Sequence, residues 1–156
     1  MVGFLFWQSL GGAPLDFTYK PPPAKPVQSV EITDPFLLQN AKRDGVKMLP
    51  SGVQIEMITE GYGRFPNRSD KVVINYTGYL TDGTMFDTST KNPEPATFPV
   101  SGVVPGFAEG LMNVRMGGRA KIYIPSHLAY GSKGSGKRVP PDSTLIFEIE
   151  ILDVIE

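Results

Sequence analysis

Val72-Val73-Ile74-Asn75-Tyr76-Thr77-Gly78-Tyr79-Leu80-Thr81-Asp82-Gly83-Thr84-Met85-Phe86-Asp87 is the stretch on which the fold turns. Val72, Ile74, Tyr76 and Leu80 fall on one face at period two, and Val73, Asn75, Thr77 and Tyr79 on the other. That alternation reads as a strand. Asp82-Gly83 then breaks the run with a hairpin dipeptide. Phe86-Asp87 follows, an aromatic ring and a carboxylate just beyond the turn. Strand parity lets Tyr76 share a wall with Ile74, and the turn brings Phe86 and Asp87 back beside it. These residues alone fit an ordinary hairpin with a core tyrosine equally well.

Upstream, Val53, Ile55 and Met57 alternate with Gln54, Glu56 and Ile58 in a first strand. Pro50-Ser51-Gly52 is a turn before it. Asp34 caps a short helix with Pro35 at its first position, and Gly45 is expected to end it. Downstream, Thr88 to Pro95 is a polar surface loop, and Ala96 to Val100 a short edge strand. Pro105 opens a second short helix, with Phe107 and Leu111 on one face and Gly117-Gly118 as its expected stop. Ala120, Ile122 and Ile124 form a strand ended by Pro125. Ser126 to Pro141 is a long irregular loop. Leu145, Phe147, Ile149 and Ile151 line one face of the last strand. The sum is an α+β domain: an antiparallel sheet whose apolar face is covered by one short helix.

Residues 1–33 do not read as packed domain. Gly3-Phe4-Leu5-Phe6-Trp7 is too short to span a bilayer and lacks the basic start of a secretory signal. Pro21-Pro22-Pro23-Ala24-Lys25-Pro26 reads as an extended spacer. The expected division is a flexible Pro-rich tail or anchor stub over 1–33, a short helix and linker over 34–49, and the main domain over 50–156. The 156 residues carry 15 Lys and Arg against 16 Asp and Glu, so no broad basic field for nucleic acid is implied. The absence of Cys removes disulfide and thiolate chemistry. A single histidine, His127, gives little material for a His-based metal site or a Ser-His-Asp triad. His127 is expected at the surface.

The chain resembles the FKBP-type peptidyl-prolyl cis–trans isomerases. The resemblance is carried by Tyr76-Thr77-Gly78, Asp82-Gly83-Thr84-Met85-Phe86-Asp87, Val103-Val104-Pro105-Gly106-Phe107, Ala129-Tyr130-Gly131 and Pro140-Pro141-Asp142-Ser143-Thr144-Leu145-Ile146-Phe147. These motifs stand in the family's order and spacing over roughly residues 50–156. Asn40-Ala41-Lys42-Arg43-Asp44-Gly45-Val46 before Leu49-Pro50-Ser51-Gly52 is more loosely similar to the approach in bacterial macrophage-infectivity-potentiator-type members. The resemblance implies a five- or six-stranded antiparallel sheet curled around one short helix, with a pocket between them. It assigns Asp87, Tyr130 and Phe147 to the catalytic positions and Tyr76, Phe86, Val103, Val104, Phe107 and Val139 to substrate binding. It implies proline-containing peptides and unfolded proteins as substrates and rapamycin-type macrolides as inhibitors. A pocketed folding chaperone or binding module with little turnover is the alternative. A membrane enters only through an N-terminal anchor. The tail points to a bacterial periplasmic or inner-membrane-tethered protein, with the cytoplasm as the other option.

Some positions depart from the family pattern. Phe107 stands where a Trp often floors the pocket, and Ala96 where many members have an aromatic wall. Ser135 and Arg138 occupy loop positions that are often His and apolar. The segment before Val103 is one residue short. These departures bear on the outer rim.

No nucleophile, metal or cofactor is expected, because the reaction is a rotation. The X-Pro amide resists it by about 18–20 kcal/mol through C–N resonance. What is needed is a site that favours the twisted amide over either planar form. Tyr76, Phe86, Val104, Phe107 and Phe147 can supply a dry surface for the pyrrolidine ring. By resemblance, the Val104 backbone N–H and the Tyr130 hydroxyl donate to substrate carbonyls, and Asp87 orients the pocket without transferring a proton.

Overall fold

The alternating run around Val72–Leu80 forms a ten-residue strand, Lys71–Leu80, in the computed structural model, which describes residues 33–156. In chain order the regular elements are α1 (Pro35–Asn40), β1 (Val46–Met48), β2 (Gln54–Thr59), β3 (Lys71–Leu80), β4 (Met85–Thr88), β5 (Ala96–Pro99), α2 (Pro105–Leu111), β6 (Arg119–Ile124) and β7 (Leu145–Ile155). The expected 1–33 tail lies outside the described residues except for Thr33. Among the described residues no helix is long and apolar enough to cross a membrane.

The sheet runs β1-β2-β6-β7-β3-β4, and its described pairings are antiparallel. β4 pairs with the second half of β3, and β5 with the first half. This is the antiparallel α+β sheet that strand parity and the resemblance imply, with seven strands rather than five or six. The additional strand is β1, which lies in the stretch expected as linker. Three residues cannot hold a strand alone; β1 exists because Val46 to Met48 pair with Glu56 to Gln54.

Period-two burial runs along the central strands, broken in β6 by Tyr123, which is also buried. Val72 and Ile74 of β3, Ile122 and Ile124 of β6, and Leu145 and Ile151 of β7 are fully buried. α2 covers this face with Phe107, Ala108 and Leu111. A seven-residue helix is not stable by itself, so packing holds it. Its approach to β6 is close enough that a Cβ on Gly110 would stand 2.5 Å from Ile122 Cγ2.

Both helices stop short of their expected ends. α2 ends at Leu111, not at Gly117-Gly118. Beyond it, Asn113 N–H donates to Gly110 O at 3.0 Å and Val114 N–H to Leu111 O at 3.2 Å, which tightens the chain out of the α-helix. The Asn113 side chain also donates to Glu109 O at 2.9 Å. α1 ends at Asn40, well before Gly45. Lys42 and Arg43 N–H donate to Gln39 O and Asn40 O, again three residues back.

α1 is tied to the sheet by polar contacts. Asp34 accepts from Phe36 N–H at 2.8 Å as the cap, and Leu37 is buried. Asn40 Nδ2 donates to Gln54 Oε1 at 2.8 Å, and Gln54 Nε2 donates to Leu37 O at 3.0 Å. Arg43 pairs with Glu56 at 2.9 Å, and the Tyr123 hydroxyl donates to the same carboxylate at 2.7 Å. Gln54 is wholly buried, so its two bonds are what make that position tolerable.

Candidate functional site

Phe147, placed by β7 parity on the covered face, is the ring around which the site assembles. It is stacked on Phe107 of α2 at 4.3 Å between centroids with the planes 16° apart. Phe86 meets it edge-on at 5.5 Å and 82°, and Tyr76 lies at 6.2 Å. Edge-to-face and offset arrangements are the favoured geometries of aromatic pairs. Phe107 and Phe147 are buried and form the floor; Phe86 and Tyr76 are half-buried and form the walls. Val103 and Val104 pack against the same core from the start of α2, and Val139 is buried within it.

A bulge aims two consecutive side chains into this place. Tyr79 pairs with Met85 and Gly78 with Asp87, so Phe86 is the extra residue in β4. In a regular strand Phe86 and Asp87 would point to opposite faces. Here Phe86 reaches Phe147 while Asp87 reaches Tyr76. Gly78 makes room: a Cβ there would stand 2.6 Å from Phe86 Cζ and 3.1 Å from Phe147 Cε1.

The carboxylate of Asp87 is held from several sides. Tyr76 Oη donates to Oδ2 at 2.7 Å. Lys91 Nζ at 3.1 Å and Thr88 N–H at 2.9 Å donate to Oδ1. Burial acts to raise the carboxyl pKa, but the bonds from Tyr76, Lys91 and Thr88 outweigh it and hold it below its ordinary value. The Tyr76 phenol is pushed far up, first by burial, then by its hydrogen bond to Asp87 and the Asp87 charge, with a smaller contribution from Tyr130. At neutral pH the pair is therefore a neutral phenol donating to an ionised carboxylate.

Two donors border the aromatic cluster without a partner among the described residues: the Val104 backbone N–H and the Tyr130 hydroxyl. Tyr130 is 40% exposed, which suits a contact made only with a bound chain. His127 is exposed, as expected.

Phe98 was not singled out from the sequence. It lies 5.7 Å from Tyr76 and supplies a ring on the side where Ala96 offers only a methyl group. Strand parity could have signalled it, since Ala96 and Phe98 share a face of β5. Ala96 itself lines a recess of about 510 Å³ between Tyr76, Phe98 and the 88–95 loop. A larger cavity of about 630 Å³ lies away from the aromatic cluster, between Asp34, Leu37, His127 and Thr144. Its lining carries no Phe, Tyr or Trp and is mostly polar, so it lacks the stacked rings that line the Phe147 cluster.

Residues 62–152 match the family described as FKBP-type peptidyl-prolyl cis-trans isomerase. The chain is 47% identical over 120 residues to the FKBP-type 22 kDa peptidyl-prolyl cis-trans isomerase of Escherichia coli K12, covering 77% of this chain and 58% of that protein. It is 43% identical to the outer membrane protein MIP of Legionella longbeachae, over 78% of this chain and 52% of that one. The crystal structure of FkpA from Escherichia coli superposes with a TM-score of 0.74 at 44% identity, over 77% of this chain and 56% of that chain. A peptidyl-prolyl cis-trans isomerase from Pseudomonas syringae gives a TM-score of 0.73 at 33% identity, over 78% and 89%. The chain thus spans about half the length of the curated relatives it matches.

Proposed function

The chain belongs to the FKBP-type peptidyl-prolyl cis–trans isomerase family, and on that premise we propose that it accelerates rotation about X-Pro bonds in peptides and unfolded proteins. The observation that carries this reading is the ring cluster on Phe147, edged by the Tyr76–Asp87 hydrogen bond and by two donors with no described partner. The pyrrolidine ring rests against Phe86, Phe107, Phe147 and Tyr76, with Val103, Val104 and Val139 completing the apolar surface. The Val104 N–H and the Tyr130 hydroxyl fix the substrate carbonyls. Only a group that holds the twisted amide better than the planar one raises the rate. A planar amide is the more charge-separated form, so a dry pocket disfavours it relative to the twisted one. Asp87 stays ionised and oriented; it has no proton to give at neutral pH, and none is needed. The same apolar bowl suits rapamycin-type macrolides, which we propose as competitive ligands.

NMR exchange spectroscopy on a short peptide with one X-Pro bond tests this. Enzyme-dependent exchange between cis and trans resonances, suppressed by a rapamycin-type macrolide, is the expected result. Saturable binding of the peptide without faster exchange would leave a chaperone or binding module instead.

A further inference from the structure

We propose that a cationic groove beside the Phe86–Asp87 wall is a specificity subsite that favours substrates with an acidic residue flanking the proline. The groove has a volume of about 450 Å³. Leu80, Met85 and Phe86 give it an apolar floor, and Lys91, Lys137 and Arg138 line it. It shares Phe86 and Asp87 with the proline pocket, so a chain leaving that pocket along this wall enters it directly. This inference rests on the isomerase reading.

The charge balance of the groove is positive for a local reason, since the chain as a whole carries a formal net charge of −1. Asp87 is the groove's only carboxylate, and it is already engaged: Lys91 pairs with it, and Tyr76 and Thr88 also donate to it. Lys137 and Arg138 form no ion pair among the described residues. The next carboxylate along the loop, Asp142, lines the neighbouring cavity, which shares Leu80 and Pro140 with the groove, and not the groove itself.

Lys137 and Arg138 are also held in place. Ser135 and Val139 exchange two backbone hydrogen bonds, Ser135 N–H to Val139 O at 2.8 Å and Val139 N–H to Ser135 O at 3.1 Å. Val139 is 3% exposed and anchors this small hairpin in the core. The backbone of the tip is therefore tied to the core, so both cations start from a fixed place beside the pocket and not from a long free loop. An exposed ion pair contributes modestly and is screened by salt. An acidic side chain is thus expected to improve a substrate by a small, salt-sensitive factor.

The test compares kcat/KM for a neutral Ala-Xaa-Pro-Phe-type peptide with that for peptides carrying Glu immediately before or immediately after the proline. At low salt one of the Glu peptides should exceed the neutral one by about twofold to fivefold. The advantage should shrink on adding salt and vanish in the double variant Lys137→Ala/Arg138→Ala. Circular dichroism of the double variant confirms that it is folded, and Lys137→Gln/Arg138→Gln serves as a second variant if it is not. Turnover of the neutral peptide with no preference for either Glu peptide overturns the subsite. A preference that survives both double variants overturns it too. No turnover of any peptide would instead overturn the isomerase reading.

Discussion

Tyr76 and Asp87, eleven positions apart in sequence, form one hydrogen-bonded unit at 2.7 Å across the β3–β4 hairpin. The bond ties the wall of the pocket to its only buried-side carboxylate and fixes the protonation of both groups. An ionised Asp87 attracts the phenol proton, and the phenol in turn stabilises the carboxylate.

Tyr76→Phe keeps the ring and removes that bond. The Asp87 pKa should then move up from its depressed value. A carboxyl whose pKa is lower in the folded state contributes stability that is present above its unfolded value, about 3.9, and lost as pH falls through the folded value. The variant should therefore lose activity and stability at a higher pH on the acid side than the parent. The Tyr76 phenol works in the opposite direction: its contribution is full below about 10 and lost as pH rises through the raised folded value. A pH profile of kcat/KM with matching melts reads both limbs. An unmoved acid limb would show that the phenol does not govern the carboxylate.

Tyr130→Phe removes one hydroxyl at the rim. A hydrogen bond to a substrate carbonyl contributes about 0.5–1.5 kcal/mol net, so kcat/KM should fall roughly threefold to tenfold. The melting temperature should barely move, because this hydroxyl has no described protein partner. Unchanged kinetics would leave Tyr130 as packing only.

Gly78→Ala places a methyl against the Phe86 ring. Phe86 is half-buried on a bulge and can swing outward, while the buried Phe147 ring at 3.1 Å must give by a few tenths of an ångström. We expect activity to fall well beyond what the melt reports, where overpacking usually costs about 1–3 kcal/mol. Phe86→Leu is the comparison: it should lose activity with a similarly small change in stability. A Gly78→Ala variant with full activity would mean that the position of Phe86 is not critical.

Much of this arrangement is legible in the residues. Period-two patterning of 72–80 and 145–151 reports which side chains face inward, because one face of each strand is buried. Pro105 marks the start of α2 through its fixed φ and missing N–H. The rest depends on pairing that no single segment carries. The bulge at Phe86 arises from the register of β4 against β3. β1 forms only where β2 offers an edge. The early ends of both helices come from bonds three residues back, which compete with the glycine stops that the sequence displays. Parity puts Phe98 on the face of Ala96, but that this face meets Tyr76 depends on β5 pairing with the first half of β3.

The N-terminal boundary gives the last expectation. The family match begins at residue 62, yet Leu37, Asn40 and Val46 to Met48 already pack on or pair with the sheet. We propose that residues 1–33 are a separable tail and that 34–49 belong to the domain. A chain beginning at Asp34 should keep its activity and melt cooperatively. A chain beginning at Ser51 loses Leu37, whose burial is worth about 1.5–3 kcal/mol. It also takes from Gln54 both partners, the Asn40 side chain and the Leu37 carbonyl, and opens that amide to water. Glu56 and Tyr123 keep each other but lose Arg43. The shorter chain should therefore melt several degrees lower, with the Phe147 cluster intact and catalysis retained at low temperature. Equal melts for both truncations would move the boundary past residue 50. Loss of most activity in the chain from Asp34 would show that the tail packs on the domain.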